Sequence, residues 1–210
     1  MRSLVRAAAS AVALLVLSSC TGTKMVQTWR DPKYQAQPVK RVFIACMMPS
    51  DAARVTFENT LAQALLDKGF LSATSTGVFE YGTVNKEMAV KFVRENKVDL
   101  VIVQRMTKET ELAYMPGTLD SNVPDSPFWG SSGTWYGAYG YGGTSYSPGY
   151  MEEDTRVRTE TTVFSTRTEP EVLVWSGAST TINVKSAGSA ARSLSETLVS
   201  DLIEAGILVK

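Results

Sequence analysis

The chain of 210 residues contains no histidine, and that absence removes more chemistry than any other feature of its composition. No imidazole is available as a general base, proton shuttle or metal ligand near neutral pH. Ser-His-Asp and Cys-His arrangements are excluded, and a zinc site loses its usual nitrogen ligand. Carboxylate pairs or a Ser-Lys dyad are the remaining routes to catalysis. Cysteine is nearly absent as well, with Cys20 and Cys46 alone. An excess of one charge is lacking: 21 basic side chains face 21 acidic ones. Without a basic surplus to neutralise phosphates, nucleic-acid binding is not expected. No apolar run approaches the roughly 20 residues that cross a hydrocarbon core.

The N-terminus holds the most informative feature that is present. Arg2 and Arg6 supply positive charge, Ala7 to Leu17 form an uncharged, largely apolar stretch, and Leu17-Ser18-Ser19-Cys20 closes it with small residues ahead of a cysteine. That three-part layout is a secretory signal, and the cysteine at the cut site resembles the lipobox of bacterial lipoprotein precursors. The resemblance implies a signal peptide over residues 1–19, diacylglycerol on the Cys20 sulfur, cleavage before it and acylation of the new amino group. Two or three acyl chains give lasting attachment where one holds only marginally. In such lipoproteins an Asp after the cysteine usually marks inner-membrane retention, so Thr21 implies the outer membrane, with the domain facing the periplasm. Loss of Arg2 and Arg6 leaves 19 basic against 21 acidic side chains, a net charge of −2. With Cys20 acylated, Cys46 has no partner in the chain, and its place after Val42-Phe43-Ile44-Ala45 predicts a buried, inert thiol.

The remaining 191 residues suit one domain. Residues 20–38 read as a tether and entry segment, with Gly22, Pro32 and Pro38 and no clear period. Lys40 to Cys46 is β-branched and aromatic, a buried strand. Pro49-Ser50-Asp51 offers an N-cap for a helix to Lys68, in which Phe57, Leu61 and Leu65 recur every four residues before Gly69. A second strand is expected at Gly77 to Tyr81, a second helix at Asn85 to Asn96, and a third strand from Leu100 towards Leu112. Beyond an interruption, Thr155 to Phe164 and Val172 to Val184 form two strands around Thr168-Glu169-Pro170-Glu171. A helix from Ala187 to Ala205 ends at Gly206. The order predicts an α/β fold with a mixed sheet (β-α-β-α-β, a long insertion, then a β-hairpin and a C-terminal helix). The domain spans residues 39–210, with a flexible insertion at 116–150.

Trp29-Arg30-Asp31-Pro32, the Lys40–Cys46 strand, Val172-Leu173-Val174-Trp175-Ser176-Gly177 and the helix ending at Gly206 resemble, in that order, small bacterial lipoproteins carrying an α/β envelope domain of unknown function. This resemblance covers roughly residues 24–208 and brings no catalytic residues with it. The strand order is similar to that of the periplasmic domains of curli-export lipoproteins and of the Tol system, a likeness of fold that licenses no function.

The insertion from Gly117 to Tyr150 holds eight of the nineteen aromatic residues and eight of the fifteen glycines, with no Lys or Arg. Tyr and Trp bring large contact area at low side-chain entropy, and Gly and Ser make such a surface adaptable. Trp129, Trp135, Tyr136, Tyr139, Tyr141 and Tyr146 are therefore the candidate partner-binding residues, for another envelope protein or a glycan; a low-complexity loop that binds nothing is the alternative. Asp120, Asn122 and Asp125 lack the glycine and terminal Glu of a calcium loop, so no metal site is expected, nor any cofactor. Arg156, Arg158 and Glu160 share one strand face, opposite Val157 and Val163. Trp29 is expected to pack the entry segment onto the domain, with a place against lipid headgroups as the alternative, and Trp175 to lie in the core.

Taken together, these features predict a lipid-anchored envelope protein acting as a non-catalytic interaction or assembly module. One alternative is a hydrolase using carboxylates near Asp31, Asp99 or Glu109 and Glu111. Another is a carrier of a small apolar ligand, which needs an apolar cavity between sheet and helices.

Overall fold

The computed structural model describes residues 21–79, 86–111, 155–182 and 184–210. Its strands are β1 (Gly22–Arg30), β2 (Arg41–Met47), β3 (Leu71–Thr74), β4 (Leu100–Glu111), β5 (Thr155–Ser165) and β6 (Val172–Ile182). Its helices are α1 (Asp51–Asp67), the single turn α2 (Ser75–Val78), α3 (Lys86–Glu95) and α4 (Ala187–Glu204). The strands form one six-stranded sheet in the order β1-β6-β5-β4-β2-β3. β2 pairs in parallel with β3 and β4, and the remaining pairs are antiparallel. The fold is the mixed α/β arrangement expected from the sequence, with one strand more than expected.

β2 shows why its run is apolar throughout. Val42, Ile44 and Cys46 face one core and Phe43 and Ala45 the other, all at 1% exposure or less. A strand covered on both faces loses the polar alternation of a half-exposed one. The larger core lies under α1 and α4, where Phe57, Leu61 and Leu65 meet Leu194, Leu198, Leu202, Ile102, Val163 and Trp175. The smaller core lies under α3, where Ala89 and Val93 pack on Val101, Val103 and Phe164. The rings of Phe43, Phe79 and Phe92 close it, with centroids 5.4 to 6.2 Å apart.

Both long helices start and stop by the same chemistry. The Ser50 hydroxyl accepts from the Ala53 N–H, and Ser186 and Ser189 form a reciprocal capping box. At the other end, Phe70 N–H donates to Leu65 and Gly69 N–H to Leu66; Ile207 and Gly206 repeat this on Leu202 and Ile203. That is the Schellman pairing, with Gly69 and Gly206 at positive φ. Phe70 and Ile207, one residue further on, are buried.

Two expectations are corrected. The expected strand at Gly77–Tyr81 is displaced to β3, and Ser75–Val78 turns as α2 instead, because the Thr74 hydroxyl accepts from the Gly77 N–H and the Glu58 carboxylate holds Ser75 and Thr76. Residues 80–85 lie outside the described part. The segment read as a tether carries β1, which pairs with β6 from Gly22↔Ile182 to Arg30↔Trp175. A register shift between Met25 and Gln27 leaves Val26 as an extra, 61% exposed residue and interrupts the period-two pattern.

Candidate functional site

The sheet order decides where the sequence-predicted features lie. β1 begins at Gly22, two residues after Cys20, opposite the last residue of β6. The final β4–β5 pair is Glu111↔Thr155, so the chain leaves for the insertion and returns from it at this same end. Only β6 separates β1 from β5, a lateral spacing of about 10 Å. Cys20 lies outside the described residues, as do Trp129, Trp135, Tyr136, Tyr139, Tyr141 and Tyr146. Their points of attachment to the sheet are nevertheless fixed, and all are at one end.

The face of β5 turned away from α1 and α4 carries the charged row. Arg156 and Arg158 are exposed and Glu160 half-buried, while Val157, Thr159, Thr161 and Val163 are buried on the other side. Glu160 lies opposite Arg105 on β4 and Ala178 on β6. Burial pushes its carboxyl above the usual range, against the pull of Arg158 and Arg105. Lys24 on β1 and Arg158 on β5 flank Thr180 in a single cross-strand row. Trp29 is half-buried opposite Ser176 on β6.

A buried carboxylate that the sequence pattern did not single out sits on the opposite face. Glu58 is fully buried. It accepts from the Cys46 N–H at 2.9 Å, the Ser75 hydroxyl at 2.6 Å, the Thr76 N–H at 2.8 Å and the Thr76 hydroxyl at 2.7 Å. Four donors satisfy the charge, so one side chain ties α1 to β2 and α2. The neighbouring Cys46 is buried as expected and donates its S–H to Gln104 Oε1. Burial pushes its thiol well above the usual range and Glu58 adds to this, with Arg54 opposing. Such a thiol is a weak nucleophile.

Of the carboxylates considered for hydrolysis, Asp99 and the Glu109/Glu111 pair lie far apart. Asp99 and Glu109 or Glu111 stand at opposite ends of β4, about ten residues or 33 Å apart along an extended strand. Asp31 accepts from the Lys33 N–H in a local turn. Asp99 is saturated by the N–H groups of Lys40 and Arg41 at 2.7 and 3.0 Å and by Arg167 at 2.9 Å. Arg167 also donates to Gln37 and to the Pro38 carbonyl, so this pair fastens the approach to β2 onto the β5–β6 turn. Burial pushes the Asp99 carboxyl up, but the Arg41 and Lys40 N–H groups and the Arg167 guanidinium outweigh it and hold the carboxyl low. A carboxyl held low in the folded state stabilises above its unfolded pKa and loses that effect as pH falls through the folded value. Asp99→Asn is therefore expected to cost about 1–2 kcal/mol at neutral pH. The gap from wild type should close below about pH 4 in urea melts.

Between α1 and α4 a groove of about 660 Å³ is lined by Asn59, Gln63, Asp67, Arg192 and Glu196 among others. Its lining, which includes the buried Ser195 and Val199, comes from α1, its C-cap Lys68 and α4, with no strand residue. Among the described residues no helix is long and apolar enough to cross a membrane, and no group of three or more acidic or cysteine side chains gathers to hold a metal ion.

No protein-family model matches the chain, and no curated protein matches it in sequence. Among solved structures, the chain is similar to the PelC dodecamer from Paraburkholderia phytofirmans at 12% identity and a TM-score of 0.46, covering 86% of this chain and 96% of that one. It is also similar to lipoprotein GNA1162 from Neisseria meningitidis at 16% identity and a TM-score of 0.38, covering 79% and 96%. At these identities and scores the likenesses assign no role to this chain.

Proposed function

We propose that this chain is a lipid-anchored protein of the bacterial envelope that acts, without catalysis of its own, as an interaction or assembly module at the membrane surface. Acyl chains on Cys20 hold it, in the outer membrane by the reading of Thr21, with the domain towards the periplasm. The observation that carries this reading is the position of β1, whose first residue follows the anchor cysteine by two. Chain geometry allows about 3.5 Å per residue, so the start of the sheet stands within about 7 Å of the thioether. The chain leaves for the aromatic insertion after Glu111 and returns at Thr155 at that same end, and tethering to a membrane raises the effective concentration at which a partner or glycan held at the same surface is met.

In-cell crosslinking of the acylated protein, with and without residues 120–148, tests the reading. The full chain is expected to capture a discrete envelope partner or glycan and the deleted chain to lose it while melting unchanged. Identical capture by both chains would remove the insertion from the account.

A further inference from the structure

The end of the sheet away from Gly22 carries a cationic corner built from described residues. Arg41 opens β2 and lies directly opposite Leu71, which opens the edge strand β3. Phe43 and Ala73, two residues further along these strands, belong to the core under α3, and side chains return to one face every second residue. Arg41 and Leu71 therefore share that face, just past the end of α3, where the Arg41 guanidinium donates to the Asn96 carbonyl. Leu71 is 60% exposed, and Arg41 and Lys97 are exposed as well. The turn at Lys97 repeats the pairing that ends α1 and α4, with Val98 N–H donating to Val93 and Lys97 N–H to Arg94. Lysine stands there at φ 48°, the one non-glycine residue at positive φ among those described, where the other two turns have glycine. A β-carbon disfavours that conformation, so the turn keeps a cation although glycine would make it more easily. The nearby carboxylates are already engaged: Glu95 with Lys91, Glu169 with Arg94 and Asp99 with Arg167. Glu171 precedes β6, with β5 and β4 between it and β2, and Asp67, on α1 across the sheet, accepts from Gln63. Residues 1–20, 80–85 and 112–154 join the described chain at the far ends of β1, α3 and β4.

We infer that Arg41, Lys97 and Leu71 form a docking surface for an acidic protein segment that also presents an apolar side chain. The inference rests on the reading of this chain as a lipid-anchored interaction module and adds a contact surface at the end turned away from the anchor. Exposed ion pairs contribute little individually, so the two cations select and orient a partner by the sign of its charge more than they hold it. Leu71 supplies what charge does not, an apolar side chain whose burial adds affinity. Apolar and arginine side chains together are the usual make-up of a protein interface. A plain polyanion would make no use of Leu71, and that separates the two kinds of partner. The strand β4, with 12 residues, spans about 37 Å, several Debye lengths at physiological salt. An anionic leaflet at the anchored end therefore does not compete for these cations.

The test uses the full acylated chain in phosphatidylcholine vesicles and two short fluorescein-labelled peptides of equal charge, one alternating Glu with Leu and one alternating Glu with Ser. Binding is followed by fluorescence anisotropy at about 20 mM salt, where screening is weak. The Glu/Leu peptide is expected to bind about fivefold more tightly, and Leu71→Ser to remove that advantage while leaving the Glu/Ser peptide unchanged. Arg41→Gln with Lys97→Gln should weaken both peptides about fivefold. Lys97→Gly separates contact from turn geometry, since it is expected to raise the melting temperature and still weaken binding. Lys33→Gln with Lys185→Gln, which removes two exposed cations elsewhere, should change neither peptide. No binding of the Glu/Leu peptide, or an equal loss from this control pair, would overturn the inference. So would equal affinity for the two peptides, which replaces the protein segment by a simple polyanion such as a carboxylate-rich wall polymer. The mass of the N-terminal peptide in the same sample separates the two failures: an adduct on Cys20 without peptide binding sinks this inference alone, and no adduct sinks the anchor.

Discussion

Glu58→Ala is expected to lower the unfolding free energy by about 4 kcal/mol, the largest loss for any surface-remote polar residue described. The reasoning is a count of orphaned donors. Two backbone N–H groups and two hydroxyls converge on this carboxylate inside a site closed to solvent. Each buried donor left without an acceptor costs roughly 1–3 kcal/mol, reduced where the site relaxes or admits water. Glu58→Gln keeps one carbonyl oxygen and turns an N–H₂ towards the remaining donors, so about half the loss is expected. Urea melts with unchanged slope measure both. A Glu58→Ala loss under about 1 kcal/mol would show that the four bonds do not hold α1, β2 and α2 together.

The second large effect comes from close approach. Gly177 lies on β6 beneath the Trp175 indole and the end of Met25. A methyl group there would fall 2.7 Å from Met25 Cε and 2.8 Å from Trp175 Cζ2, with Cη2 nearer still. Trp175 is itself fully buried among Val163, Val174 and Leu198, so the ring has nowhere to retreat. Gly177→Ala is expected to cost about 2–3 kcal/mol through overpacking and to alter the near-ultraviolet dichroism of the indole. Gly188→Ala is the matched control. It meets nothing closer than Ser186 Oγ at 3.8 Å in the first turn of α4, and is expected to be neutral or to add up to about 1 kcal/mol through helix propensity. Equal effects at the two positions would contradict the packing described.

Those two residues also mark where the sequence stopped being legible. The elements with a strong local signal could be read directly: β2 and β4 from their continuous apolar runs, α1 and α4 from their apolar stripes and glycine ends, β5 and β6 as two strands about the turn at Thr168-Glu169-Pro170-Glu171. β1 was hidden because it is an edge strand, half exposed, with Val26 breaking its alternation and its partner β6 some 150 residues away in sequence. β3 and α2 were misplaced because a contact outside the local window shapes them. Nothing around Ser75 and Thr76 announces that a carboxylate 17 and 18 residues earlier will hold them. Glu58 follows Phe57 in a helix with other acidic residues, and the stripe of Phe57, Leu61 and Leu65 gives no reason to single it out. Arg167 was likewise one arginine in a turn until Asp99 and the approach to β2 were set beside it.

For the candidate site, Leu17-Ser18-Ser19-Cys20 carries the proposed anchor in the sequence, but the distance from that cysteine to the sheet was not legible there. A tether of residues 20–38 would have let the domain stand away from the bilayer by tens of ångströms. Pairing of Gly22 with Ile182 shortens that reach to a few residues. It also brings the start of β1 to the same end of the sheet as both ends of the insertion, Glu111 and Thr155. Only the sheet order places these together, because β1, β5 and β6 meet there through antiparallel pairs of distant segments.

Everything functional depends on the fatty modification of one sulfur. The direct measurement is the mass of the N-terminal peptide of the protein purified from the membranes of its native cell. The account requires that peptide to begin at Cys20 and to carry diacylglycerol on the sulfur and a further acyl group on the amine. A peptide that retains residues before Cys20, or that begins elsewhere with an unmodified thiol, would contradict it.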